Sequence, residues 1–232
     1  MNQIAPTSPR ERLEHTRERI ADASRVAGRP ADSVGLLAVS KRKPIEAIRA
    51  LHALGQRAFG ENYVDEGVAK IGELEDLELE WHYIGPIQSN KTKLIAAHFD
   101  WVQSIDRAKI VRRLDDQRPE DLPPLNVLIQ VNLDGESQKA GCAPDQIADL
   151  AERIAECENL KLRGLMAIPA PRDDYDDQRA VFAQLRGLFE KLREDHPEAD
   201  TISAGMTADL EAAVAEGSTL VRIGTALFGP RD

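Results

Sequence analysis

The chain of 232 residues carries 40 acidic side chains against 30 Lys and Arg, a formal net charge of −10, which argues against a protein that neutralises nucleic-acid phosphates or anionic membranes. Its length suits one large domain or two small ones and can bury a sizeable core without disulfides or a structural metal. No apolar run approaches the roughly 20 residues that span a bilayer, and the opening MNQIAPTSPRERLEHTRERI has no apolar signal-peptide core; the expectation is a cytoplasmic protein with neither nucleic acid nor membrane as a partner.

Ser8-Pro9-Arg10-Glu11 reads as a helix start, with Ser8 as cap, Pro9 at the first helical position and Glu11 closing a capping box. Leu13, Ile20 and Ala27 continue the stripe until Gly28-Arg29-Pro30 stops it. Short apolar runs then alternate with amphipathic stretches, and the runs predict eight strands: Gly35–Ser40, Arg57–Gly60, Glu80–Gly85, Trp101–Ser104, Asn126–Val131, Leu162–Ala167, Thr201–Ala204 and Leu220–Ile223. One strand-plus-helix unit takes roughly 24 residues, near the minimum for a right-handed crossover. Eight units behind a leading helix predict an α/β fold, a single (β/α)8 TIM barrel over residues 1–232 with an extra N-terminal helix. A doubly wound sheet has fewer strands and a glycine-rich first turn, where this chain has Ser40-Lys41-Arg42-Lys43-Pro44. The clearest helix is Arg179–Glu194, with Phe182, Leu185, Phe189 and Leu192 at three- and four-residue steps, and Asp173–Asp177 reads as a solvated loop before it. Cys142 and Cys157 flank a predicted helix over 144–157, which holds them about 20 Å apart and unable to pair. Without histidine companions they make no metal site.

In a barrel, function collects at the carboxyl ends of the strands. Pro44 keeps Lys43 extended, so the first strand is expected to run to about Lys41, on the same side as Leu37 and Val39. If that side faces the bore, desolvation makes the amine a nucleophile for carbonyls; the other reading is a basic loop snorkelling to solvent. Asn62, after the second strand, is placed to bond a ligand hydroxyl or to cap a helix over Tyr63–Leu74. His82 alternates with Trp81 and Tyr83 and reads as a satisfied core residue. Ile202–Asp209 passes through Gly205 into a helix with Thr207 as N-cap. Arg222 lies between Val221 and Ile223, so one face of the last strand carries a charge that needs a partner, either a salt bridge or a ligand. Gly224 and Thr225 follow, where amides and a hydroxyl can hold an anion, and the ends of strands seven and eight are a frequent phosphate site in barrels.

Taken together, Ala38-Val39-Ser40-Lys41, Phe59-Gly60-Glu61-Asn62-Tyr63, Trp81-His82-Tyr83-Ile84-Gly85-Pro86-Ile87-Gln88-Ser89-Asn90-Lys91, Gly164-Leu165-Met166-Ala167-Ile168-Pro169 and Val221-Arg222-Ile223-Gly224-Thr225 closely resemble the pyridoxal phosphate homeostasis protein family. The likeness runs in order from about residue 10 to 230. It implies a barrel similar to the N-terminal domain of alanine racemase, with pyridoxal 5′-phosphate (PLP) as cofactor in a Schiff base on Lys41. It further implies Arg222 beside the pyridine nitrogen, and Ser203, Gly224 and Thr225 around the phosphate. Many members carry a bulkier residue in place of Ala204 and serine in place of Thr207.

Arginine only donates hydrogen bonds, so a pyridine nitrogen facing Arg222 stays an unprotonated acceptor and a weak electron sink, which disfavours transamination. Racemases of this fold resemble two-domain dimers, whereas Asp232 follows Thr225 by only seven residues, leaving an open site. The expected protein is therefore a monomeric, non-catalytic PLP carrier that supplies PLP-dependent apo-enzymes. A PLP-dependent racemase or decarboxylase using Tyr63 or Tyr83 is the alternative, and a lysine aldolase acting on a sugar phosphate is the third.

Overall fold

The computed structural model describes residues 8–135 and 140–229. Helix α1 (Pro9–Val26) starts on the expected capping box: the Glu11 N–H donates to Ser8 Oγ (3.2 Å) and the Ser8 N–H to the Glu11 carboxylate (3.0 Å). Eight strands follow, β1 (Gly35–Val39), β2 (Ala58–Glu61), β3 (Glu80–Tyr83), β4 (Trp101–Ile105), β5 (Leu125–Val131), β6 (Leu160–Ala167), β7 (Thr201–Ser203) and β8 (Leu220–Ile223). Each pairs in parallel with its neighbour, and β8 returns to β1 in the register Leu37↔Arg222, which closes the barrel. The helices are α2 (Ile45–Ala53), α3 (Val64–Glu73), α4 (Thr92–His98), α5 (Ala108–Gln117), α6 (Ile147–Ala155), α7 (Tyr175–Asp195), α8 (Leu210–Ala215) and the short α9 (Thr225–Phe228).

Alternation along the strands divides the interior in two. Phe59, Trp81, Tyr83 and Val102 join the large apolar layer between strands and helices, whereas Trp101, Leu128 and Met166 form a separate cluster within the bore. The bore also holds buried polar side chains, among them His82, Gln103, Ser203 and Arg222.

Three local expectations are corrected. β1 ends at Val39, and Lys41 and Arg42 sit in a turn, Arg42 with φ +59°; the proline-biased extended segment is thus shorter than the sequence implied. Asp174 accepts from the N–H groups of Asp176 and Asp177, so much of the acidic run is helix start rather than loop. Thr207 does not cap α8: Asp209 precedes that helix and its carboxylate instead accepts the Met206 N–H (2.6 Å). Cys142 and Cys157 are free thiols.

Candidate functional site

Lys41 stands at the carboxyl end of β1, half-buried. The residue before it is clamped from the helix layer. Ser40 Oγ donates to Glu61 Oε1 (2.6 Å), Lys70 Nζ donates to the same oxygen (2.8 Å) and to the Ser40 carbonyl (2.8 Å), and Lys70 also reaches Glu66 (2.7 Å). Ser40 and Glu61 are fully buried and Lys70 nearly so. Burial pushes the Glu61 carboxyl up, partly offset by the hydrogen bonds from Lys70 and Ser40. After Lys41 the chain turns through left-handed Arg42, whose N–H is held by Glu66 and whose guanidinium donates to the Tyr63 hydroxyl (2.9 Å). The sequence signal for this clamp is a lysine on the buried face of α3, nine residues after a carboxylate that ends a strand; one chain position does not reveal that the two meet.

Asn62 does not cap α3, whose N-cap residue is Tyr63 without a side-chain bond. Its Oδ1 is buried and has no hydrogen-bond partner among the described residues, an unmet acceptor at the barrel mouth. Its backbone is pinned by Gly85: a Cβ there would lie 2.1 Å from the Asn62 carbonyl oxygen, so only glycine fits. A cavity of about 460 Å³ opens beside Asn62, Tyr63, Tyr83 and Lys91. Tyr63 is exposed, whereas Tyr83 is buried, donates to the Pro86 carbonyl (2.9 Å), and has its hydroxyl pushed up to about 12 by burial.

Arg222 lies level with Leu37, two residues before the end of β1 and four before Lys41. It is 4% exposed and makes no ion pair among the described residues. Nη1 donates to the Ser203 carbonyl and to Ser203 Oγ (both 2.7 Å), and Nη2 to the Ala167 carbonyl (2.8 Å). Burial lowers its pKa to about 10, with Asp209 opposing. Of the two readings of Arg222, the structural salt bridge is therefore the one not found. Ser203 Oγ in turn donates to Gln103 Oε1 (2.6 Å), so the serine expected at the phosphate sits with its hydroxyl in the bore. Gln103, which sequence reasoning passed over, bonds His82 Nδ1 (2.8 Å), and His82 Nε2 bonds Glu80 (2.7 Å); His82 is the satisfied interior residue expected. The available signal was the lone amide in the apolar strand Trp101-Val102-Gln103-Ser104-Ile105.

Gly224 packs its bare backbone on Val39, where a Cβ would lie 3.4 Å from the carbonyl oxygen, and Thr225 is exposed beside it. Thr207 and Thr225 both line a cavity of about 360 Å³ against α1, with Arg12, His15 and Arg19. Arg19 donates to the Thr207 carbonyl (2.8 Å) and bridges Glu211, tying the β7–α8 loop to the leading helix. The ends of β1, β2 and β8 thus bring an amine, an unmet amide acceptor and a donor-only guanidinium to one mouth. A group fitted there has a carbonyl for the amine, a hydrogen-bonding hydroxyl for Asn62, and an acceptor or anion for Arg222.

Residues 12–232 match the family described as alanine racemase, N-terminal domain. A pyridoxal phosphate homeostasis protein of Pseudomonas aeruginosa is 56% identical over 222 residues, covering 96% of this chain and 95% of that protein. Its counterpart in Escherichia coli K12 is 51% identical over 235 residues, covering 100% and 98%. Among solved structures, PipY of Synechococcus elongatus with PLP bound superposes with TM-score 0.84 at 37% identity, covering 96% of this chain and all of that one. The chain belongs to the pyridoxal phosphate homeostasis protein family, built on the barrel of the alanine racemase N-terminal domain.

Proposed function

We propose that this protein holds PLP in a Schiff base on Lys41, stores the cofactor in that form and supplies it to enzymes that need it, without turning over amino acids. The observation that carries the reading is Arg222: a buried guanidinium, held among the described residues by neutral oxygens, paired in register with the strand whose end leads into the half-buried Lys41. Condensation of the Lys41 amine with the PLP aldehyde forms one imine and releases one water, so loading reverses by hydrolysis. Arg222 donates to the pyridine nitrogen and keeps it unprotonated. Asn62 Oδ1 accepts from the ring hydroxyl, and the 224–225 backbone with the Thr225 hydroxyl takes the phosphate. When bound, PLP supplies an electrophilic aldehyde and an electron-withdrawing ring. This chain's residues bind and orient it.

The absence of turnover is supported by the side chains at the mouth. Tyr83 is tied to the Pro86 carbonyl and holds its proton tightly, and Tyr63 is exposed and paired with Arg42. Neither is poised to exchange a proton at the substrate carbon.

An absorbance spectrum before and after borohydride, with peptide mapping of the reduced protein, tests the reading. A visible band that bleaches and a pyridoxyl mass on Lys41 are expected, and Lys41→Ala should abolish both. Persistence of the adduct in Lys41→Ala overturns the lysine assignment. Deuterium exchange at Cα of amino acids above the rate with free PLP overturns the absence of turnover.

A further inference from the structure

The bore hydrogen bonds have a sense as well as a path. Glu80, at the opposite mouth of the barrel, is an acceptor when ionised, so His82 Nε2 carries the hydrogen in their 2.7 Å contact. The Gln103 amide sets its nitrogen toward His82 Nδ1 (2.8 Å) and its oxygen toward Ser203, so Nδ1 accepts in that contact. Ser203 has a single hydroxyl hydrogen and gives it to Gln103 (2.6 Å), so toward Arg222 its oxygen only accepts (2.7 Å). Every donor in the series points from Arg222 to Glu80. His82 is further held by stacking on Trp101, with ring centroids 5.1 Å apart and planes at 11°.

We infer that Ser203, Gln103 and His82 form a one-way hydrogen-bonded chain, anchored on Glu80, that positions Arg222 for the pyridine ring, and that the Ser203 hydroxyl serves this chain rather than the phosphate. The inference rests on the proposed PLP site and reassigns one of its residues. Two constraints support it. The Ser203 hydroxyl hydrogen is already engaged in the bore, so it has none to offer a phosphate. The guanidinium is fixed through Nη1 and Nη2, so its remaining Nε–H edge keeps a set direction without a carboxylate that would neutralise it. Ser203, Gln103 and His82 are positioning residues.

Pyridoxal, which lacks the phosphate, separates the two roles of Ser203. Dissociation constants for PLP and for pyridoxal are measured by fluorescence titration on the full chain. If Ser203 positions Arg222, Ser203→Ala weakens both by a similar factor, on the order of tenfold, and shifts the visible band of the PLP-loaded protein. Gln103→Leu should reproduce this effect. Gln103→Glu, which keeps an acceptor for Ser203 but sets a second acceptor against His82 Nδ1, should also weaken both ligands. Thr225→Val should weaken PLP and leave pyridoxal unchanged. Loss confined to PLP in Ser203→Ala, with an unmoved band, overturns the inference and returns the hydroxyl to the phosphate. The sense of the chain is read in ligand-free wild-type protein by 15N correlation spectra of the His82 ring. The Nε2–H form is expected, and the Nδ1–H form overturns the chain whether or not the variants fold. Failure of the wild type to bind either pyridoxal or PLP refutes the proposed function, and the ring spectra still decide the chain on their own.

Discussion

Two buried polar assemblies flank the mouth of the barrel, and they solve opposite problems. The clamp behind Lys41 is ionic and closed on itself: Lys70 faces two carboxylates, Glu61 and Glu66, and binds the Ser40 carbonyl. The chain beneath Arg222 is neutral through Ser203, Gln103 and His82, with its carboxylate placed at the far, exposed end. The lysine proposed to carry the cofactor stands on a backbone fixed by charges in the helix layer. The arginine proposed to face the ligand is held by dipoles that do not cancel its charge. The same residue classes produce rigidity in one place and unspent electrostatic attraction in the other.

The strongest way to break this contrast is Lys70→Met. Removing one partner leaves Glu61 buried beside Ser40, an arrangement that costs about 3–5 kcal/mol when a buried pair is broken. Burial already pushes Glu61 up, and without the ammonium it rises further, so the variant's deficit should grow with pH as the uncompensated carboxylate is forced to ionise. Thermal melts between pH 5 and 8 check this; a deficit independent of pH contradicts it. In the folded fraction, pyridoxal affinity should fall less than in Ser203→Ala.

Gly85→Ala probes the joint between the assemblies. Its new methyl must push the Asn62 carbonyl aside, which should lower stability by about 1–3 kcal/mol and loosen the ligand hydroxyl contact. Denaturant titration and PLP titration read the two effects separately. Arg42→Val puts a β-branched residue into a left-handed turn and should destabilise by about 1–2 kcal/mol, whereas Arg42→Gly should be close to neutral. Equal losses in the two would show that the Tyr63 and Glu66 contacts matter more than the backbone.

The smallest effect is expected at Glu80. The hydrogen bond with His82 holds its carboxyl below the usual carboxylate range, so its contribution is present above that range and lost as pH falls through the lowered value. Glu80→Gln should therefore flatten the acid side of the stability profile by a few tenths of a kcal/mol, as suits a half-exposed group. An unchanged profile would detach Glu80 from the bore chain.

These sites differ in how far the sequence discloses them. Lys41, Asn62 and Arg222 are legible because strand ends are marked by apolar runs, and alternation says that Arg222 opposes Val221 and Ile223. The clamp and the bore chain are not, since Lys70 meets Ser40 only when α3 packs behind β1, and Gln103 meets Ser203 only when barrel closure sets β4 across the bore from β7. Arg42 shows a further limit: nothing in Lys41-Arg42-Lys43-Pro44 announces a positive φ in a non-glycine residue, and the pattern alone extends the strand to about Lys41. The eight strands were readable to within a few residues because a parallel, doubly covered strand must be nearly continuous in apolar residues.

Barrel closure adds a kinetic consequence. Lys41 follows the first strand and Arg222 lies in the last, and they become neighbours only when Leu37 pairs with Arg222. The proposed site is therefore a seam joining distant parts of the chain. Such long-range pairing forms late and slowly relative to local helix contacts. A ligand held across the seam binds only the completed ring, so loading should retard its opening and slow exchange of the β1 and β8 amides first. If the proposed site holds its ligand there, release of that ligand and loosening of the seam are two readings of one equilibrium.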